Sequence, residues 1–141
     1  MKIKLPLFFS ILGLLSLFTL GACSHPTSDF YKKAESFIQT YYLKADAKGS
    51  LKITEGPAAQ KIKQELDLLE GLTPSQNPER PKMTYKIFAC ENPIEDQAHC
   101  DYQLDIQMDH QTRVRKGRLS LRKIDEVWWI TQFVEAPYED S

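Results

Sequence analysis

The chain is predicted to fold, after an N-terminal leader, as an α+β domain: a curved four-stranded antiparallel sheet laid over two main N-terminal helices. Three observations predict it. Between residues 30 and 69 apolar side chains recur three and four positions apart, the period of a helix. After Lys82 the period becomes two, most clearly where Tyr102, Leu104, Ile106 and Met108 alternate with Asp101, Gln103, Asp105, Gln107 and Asp109. Between the two regimes Pro74, Pro78 and Pro81 stand among Ser, Gln, Asn and Glu, so residues 73–82 read as a loop that neither a helix nor a central strand would tolerate.

Lys2 and Lys4 open the chain and are followed by an almost unbroken apolar run from Leu5 to Leu20. A membrane-spanning helix needs about 20 apolar residues, whereas the apolar part of an export signal needs only about 7 to 15 and ends in small residues. The run ends in Leu20-Gly21-Ala22-Cys23, which resembles the lipobox of bacterial lipoproteins. The resemblance implies that residues 1–22 are a signal peptide and that Cys23 becomes the lipid-bearing first residue. Two or three acyl chains would anchor it stably where one is marginal. Ser24, in place of Asp, resembles the sorting position of lipoproteins held on the periplasmic face of an outer membrane, where the bacterium has one. Residues 23–28 are small and polar and read as a tether; residues 29–136 form the domain and 137–141 a tail.

Without the leader's two lysines, 16 Lys and Arg face 19 Asp and Glu, a balance of −3. Such a chain has no basic field to recruit nucleic acid or anionic headgroups.

The first helix begins near Thr27, Ser28 or Asp29, any of which can cap it. Phe30, Ala34, Phe37, Tyr41 and Ala45 form its stripe, widened by Tyr31, Ile38 and Tyr42, and an aromatic stripe of this kind reads as core. Residues 48–55 are compatible with a short helical turn around Leu51 and Ile53. The second main helix starts at Gly56-Pro57, places Ala59, Ile62, Leu66 and Leu69 on one face and stops before Gly71. Lys61, Lys63, Glu65 and Asp67 read as its solvated side.

Strands are predicted over residues 83–90, through Tyr102–Met108, over 113–124 and over 127–135, with a polar connection at 91–99 and a turn of four residues from His110 to Arg113. That turn would set Leu104 opposite Leu119, Tyr102 opposite Leu121, Asp105 opposite Arg118 and Asp101 opposite Arg122. With Cys23 acylated in an oxidising compartment, Cys90 and Cys100 remain as an even pair and read as a disulfide. A metal site is disfavoured, although His99 adjoins Cys100, because the ligand spacing of a zinc site is missing. Cys100 shares the parity of Tyr102 and Cys90 that of Phe88, and the pattern leaves open which face of the first strand is buried.

Two helices, then four strands, then Val127-Trp128-Trp129-Ile130-Thr131-Gln132-Phe133 resemble the NTF2-like superfamily of cone-shaped domains, whose small secreted lipoproteins often end in a W-x-I-x-x-F strand. The resemblance implies a cone lined by Tyr102, Leu104, Ile106, Met108, Leu119, Leu121, Trp128 and Ile130, either open to an apolar ligand or filled by Phe30, Phe37 and Tyr41.

Members of the superfamily are enzymes when acid and base residues line the cone. Here Asp101, Asp105 and Asp109 fall on the face opposite the apolar one, where nothing desolvates them toward a general acid. His25 lies in the tether, His99 in a loop and His110 in a turn; Ser120 lies on the outer face with no matching His. No glycine-rich phosphate loop is present and no cofactor is implied. The expectation is a non-catalytic, lipid-anchored envelope protein that binds a protein partner or an apolar ligand. A small NTF2-like hydrolase or isomerase is the alternative.

Overall fold

A computed structural model describes residues 28–72 and 80–136. The leader, Cys23, His25, most of the tether, residues 73–79 and the tail 137–141 lie outside the described residues. Helix α1 (Asp29–Phe37) starts where Ser28 Oγ accepts the Tyr31 N–H at 3.4 Å. It continues as a π-helical turn (Ile38–Leu43), in which the Lys44 N–H reaches back to the Gln39 carbonyl at 2.9 Å. The predicted stripe therefore stops short of Ala45, which is exposed and has φ of 50°. The π turn adds one residue to the helical repeat and re-aims the side chains beyond it.

The ambiguous stretch holds helix α2 (Ala47–Ser50) and a 3-10 turn (Leu51–Ile53), so three α-helices stand where two main ones were expected. Asp46 caps α2 by accepting the Gly49 N–H at 2.8 Å. Helix α3 (Gly56–Leu69) begins at a residue whose φ of +56° suits glycine. Its inner side is Ala58 and Ile62, with Leu66 half-buried; Leu69, expected on that side, is 57% exposed. The face is rotated by about one residue because the helix meets the sheet through Ala58 rather than Ala59.

The sheet is an open antiparallel meander in the order β1 (Lys82–Ile94), β2 (Gln97–Met108), β3 (Gln111–Ile124), β4 (Val127–Glu135). Lys82 begins β1 instead of ending a loop. The expected 91–99 connection is instead a hairpin with Glu91 paired to His99 and Ile94 to Gln97 across a turn at Glu95 and Asp96. The β2–β3 turn has two residues, Asp109 and His110, rather than four, because Asp109 adopts φ of 52°, a conformation that Asp tolerates. Every β2–β3 pair moves accordingly: Asp101 faces Arg118 instead of Arg122, Leu104 faces Arg115 instead of Leu119, Tyr102 faces Gly117 instead of Leu121, and Asp105 faces Val114 instead of Arg118. The displacement is an even number of residues, so the burial of each face is preserved.

Among the described residues, two of the three register shifts in the sheet set the faces of the outer strands; the third lies between Glu91 and Ile94, near the β1–β2 turn. Phe88 is the extra residue where the β1–β2 register shifts between Ile87 and Ala89. It puts Met83, Tyr85 and Ile87 on the inner side together with Cys90, while Phe88 itself is 51% exposed. Cys90 thereby comes directly opposite Cys100, both buried, with Cα atoms 4.1 Å apart and sulfurs at disulfide distance. On β4 a second shift, between Ser120 and Leu121 of its partner, turns both Ile130 and Phe133 inward although they are three residues apart. The inner face packs on α1, Phe30 meeting Trp128 at 5.5 Å and Phe37 meeting Phe133 at 5.1 Å between ring centroids.

Candidate functional site

Tyr102, Leu104, Ile106, Leu119, Leu121, Trp128 and Ile130 are all buried and form one cluster with Phe37, Ile38 and Ile62. Met108, assigned to the same lining, is 45% exposed, because the short turn brings it to the lip of the sheet. Ala34 and Phe37 of α1 and Ile38 of the π turn pack against this inner face.

At one end of this filled core the π turn, α3 and the ends of β3 and β4 surround an open pocket of about 400 Å³, lined by Tyr41, Tyr42, Ala45, Ala47, Lys61, Glu65, Met83, Arg115 and Glu135. Its walls are built by strand parity. Gly117, Leu119 and Leu121 face inward on β3, and Arg115 continues that row; Glu135 sits opposite Gly117 on β4 and continues the row of Phe133. The Tyr41 hydroxyl donates to Glu65. The Tyr42 hydroxyl donates to Glu135 Oε1, and Arg115 Nη1 donates to Glu135 Oε2. A phenol has one proton, so the 2.7 Å contact between Tyr42 and Tyr102 is donated by Tyr102. The result is a directed chain, Tyr102 to Tyr42 to Glu135, closed by Arg115.

The rings pack as tightly as the hydroxyls. Tyr41 stacks on Phe37 at 5.2 Å and meets Tyr42 edge-on at 4.8 Å, and Lys61 Nζ lies 4.0 Å from the Phe133 ring centroid. Burial, foremost, raises the pKa values of Tyr41, Tyr42 and Tyr102, with their neighbouring carboxylates adding to it. The three phenols are therefore neutral donors at any physiological pH. Tyr102 fits because its partner is glycine: a Cβ on Gly117 would stand 2.4 Å from Tyr102 Cζ and Oη.

The acidic residues of β2 are elsewhere. Asp101 is held by Arg118 through two hydrogen bonds of 2.6 and 2.9 Å on the outer face, and that guanidinium keeps its carboxyl below the usual range. Asp105 accepts from Gln103 at 2.8 Å, and Asp109 and His110 occupy the exposed turn. His99 is a β2 residue and not a loop residue. It lies directly between Glu91 and Ser120, so the outer row does contain a His beside Ser120. A nucleophilic triad would need an acid on His99 Nδ1, and that atom is enclosed without a hydrogen-bond partner.

Among the described residues no group of three or more His, Cys, Asp or Glu is placed to hold a metal ion, and no helix is long and apolar enough to cross a membrane. Glu65, read from the sequence as part of the solvated side of its helix, is instead half-buried against Tyr41, and the sequence reading does not single out Arg115 or Glu135. Inner-face parity extended to the ends of β3, and the Ile130-to-Phe133 spacing of three on β4, carried the signal for the latter two. Comparison with protein-family models, curated proteins and solved structures finds no match.

Proposed function

We propose that the mature chain is a lipid-anchored, non-catalytic binding module of the bacterial envelope, an NTF2-like cone whose tyrosine–carboxylate mouth receives a segment of a protein partner. The observation that carries the reading is the contrast between a filled interior and an open mouth. The inner face of the sheet, which would hold an apolar ligand, is covered by Phe37 and Ile38, while the pocket at its end offers apolar walls, two cations, two carboxylates and two fixed phenols, Tyr41 and Tyr42. Concave sites with a few placed polar anchors suit recognition. Both oxygens of Glu135 already accept hydrogen bonds, which holds the carboxylate in place. The lipobox residues Leu20 to Cys23 support acylation at Cys23, and Ser24 supports the periplasmic face of an outer membrane where one exists.

The experiment is crosslinking in intact cells followed by identification of the captured protein, with Glu65→Gln and Tyr41→Ser as mouth variants and Phe88→Ser as an outer-face control. Loss of one specific partner in the mouth variants and its retention in the control are expected. Capture that survives both mouth variants and disappears with the control would place the interface on the outer sheet instead. Mass spectrometry of the membrane-extracted protein should find an acylated peptide starting at Cys23; an unmodified N-terminus elsewhere would refute the anchor.

A second reading has its own observation: Glu65 and Glu135 both line one solvent-open pocket, and a small hydrolase or isomerase would need two carboxylates there. Turnover of any substrate, abolished by Glu65→Gln or Glu135→Gln while the fold is retained, would establish it in place of the binding reading.

A further inference from the structure

The start of α1 and two of the hairpin turns lie at the same end of the domain, opposite the tyrosine mouth. Phe30, in the first turn of α1, packs on Trp128, which pairs with Lys123 two residues before the Asp125–Glu126 turn. The Lys123 N–H donates to the Asp96 carbonyl at 2.8 Å and so ties the β1–β2 turn to the β3–β4 turn. The Lys123 ammonium bonds Glu126 at 2.9 Å, so the backbone, the side chain and the cross-strand partner Trp128 of this lysine join the β1–β2 turn, the β3–β4 turn and the start of α1. At the other end stand the mouth residues Tyr42, Arg115 and Glu135 and the Asp109–His110 turn.

Strand β3 measures the distance between the two ends. From Lys123 to Arg115 it advances eight residues, roughly 26 Å at strand rise. From Cys23 to Ser28 the chain has five residue steps, which span at most about 18 Å. A lipid on Cys23 is therefore attached to the two-turn end by a leash shorter than the domain is tall. This end carries Asp29, Glu95, Asp96, Asp125 and Glu126 beside the cations Lys32, Arg122 and Lys123, and Lys32 and Lys123 already face Asp29 and Glu126 at 3.6 and 2.9 Å. Among the described residues carboxylates outnumber cations at this end, so the leash rather than charge attraction to headgroups sets the orientation.

We infer that the domain stands over the bilayer on its two-turn end and presents the Tyr42–Arg115–Glu135 mouth away from that membrane, to a soluble protein segment or one projecting from an opposite surface. The inference rests on acylation of Cys23, and it excludes a partner segment buried in the same bilayer.

The test uses the acylated full-length protein in phosphatidylcholine vesicles carrying a headgroup-attached spin label. The native tryptophans, Trp128 and Trp129, report the two-turn end, and a His110→Trp variant adds a reporter at the exposed mouth-end turn without touching the core. Native emission should fall severalfold, while the added emission should resist the headgroup label and yield to acrylamide in the aqueous phase. Added emission quenched as strongly as the native, or native emission left unquenched, would overturn the orientation. Mass spectrometry of the same preparation separates the two readings. Absence of acyl chains on Cys23 removes the anchor and the orientation with it; an acylated protein with the reversed quenching pattern removes the orientation alone.

Discussion

Gly117→Ala turns the fit between Tyr102 and its cross-strand neighbour into a number. In a strand, alanine in place of glycine ordinarily stabilises by about 0.5–1 kcal/mol, because the folded chain loses less backbone freedom. Here the new Cβ would stand 2.4 Å from Tyr102 Cζ and Oη, a separation that requires movement. The phenol is fully buried and hydrogen-bonded to Tyr42 at 2.7 Å, so it has nowhere to swing. Overpacking of this kind costs about 1–3 kcal/mol. With a cost of about 2–2.5 kcal/mol, in the upper half of that range, and the propensity gain of about 0.5–1 kcal/mol set against it, Gly117→Ala should lose about 1–2 kcal/mol. At a urea slope of about 2 kcal/mol per molar this is a midpoint lowered by roughly 0.5–1 M with the slope unchanged. The decisive comparison is the same substitution in a Tyr102→Leu background, where the obstruction is gone and alanine should become stabilising. Gly71→Ala, where no atom lies within 4 Å of the added Cβ, is the control. Gly117→Ala as stable as the parent, or an unchanged sign in the Tyr102→Leu background, would refute the steric argument.

Other outcomes follow from the same geometry. Thiol labelling of the non-reduced protein should give no signal at Cys90 or Cys100, and reduction should cost somewhat less than the ~3 kcal/mol expected of a 15-residue loop, measured by denaturant unfolding. Tyr42→Phe should destabilise by about 1.5–3 kcal/mol, since it removes a hydrogen bond to a charged acceptor and leaves the Tyr102 hydroxyl without an acceptor in a buried place. The folded-state pKa values of Tyr41, Tyr42 and Tyr102 lie above the ordinary value of 10.0, so their contribution is complete below that pH and is lost as pH rises toward the folded values. Ultraviolet titration should accordingly show phenolate from these residues only with alkaline unfolding. Asp101 has the opposite sign: held below 3.8 by Arg118, it favours the folded state above that value and ceases to do so as pH falls through its folded-state pKa. The stability difference between the parent and Asp101→Asn should therefore shrink on acidification, and a difference that grows would contradict the pairing.

How far the sequence could be read depended on whether a feature was periodic. The alternation from Tyr102 to Ile106 and the limits of β4 follow from local pattern, and a shift of a whole even number leaves that pattern intact. The β2–β3 register therefore escaped notice: both a four-residue and a two-residue turn satisfy the burial of Leu104 and Leu119, and only the left-handed conformation of Asp109 selects the shorter. The π turn has no composition signal, so the sequence could not show that adjacent Tyr41 and Tyr42 both turn toward the mouth. Glu65 reads as solvated by its neighbours and becomes a wall of the pocket only through Tyr41, 24 residues away. The face of Cys90 was unresolved for a related reason, since a bulge is an aperiodic event inside a periodic element.

That bulge bears on how the molecule keeps to itself. An open sheet ends in strands whose outward N–H and C=O groups can template another chain, and β1 is one such edge, 13 residues long. Phe88 breaks its ladder repeat between Ile87 and Ala89, Pro93 removes a donor near its far end, and Lys82 and Lys86 put charge along its first half. The longest uninterrupted register is Lys82–Ile87, so an incoming strand would find six residues to pair with before meeting a kink. The irregularity that brings Cys90 to Cys100 thus also guards the exposed margin of the sheet against edge-to-edge aggregation.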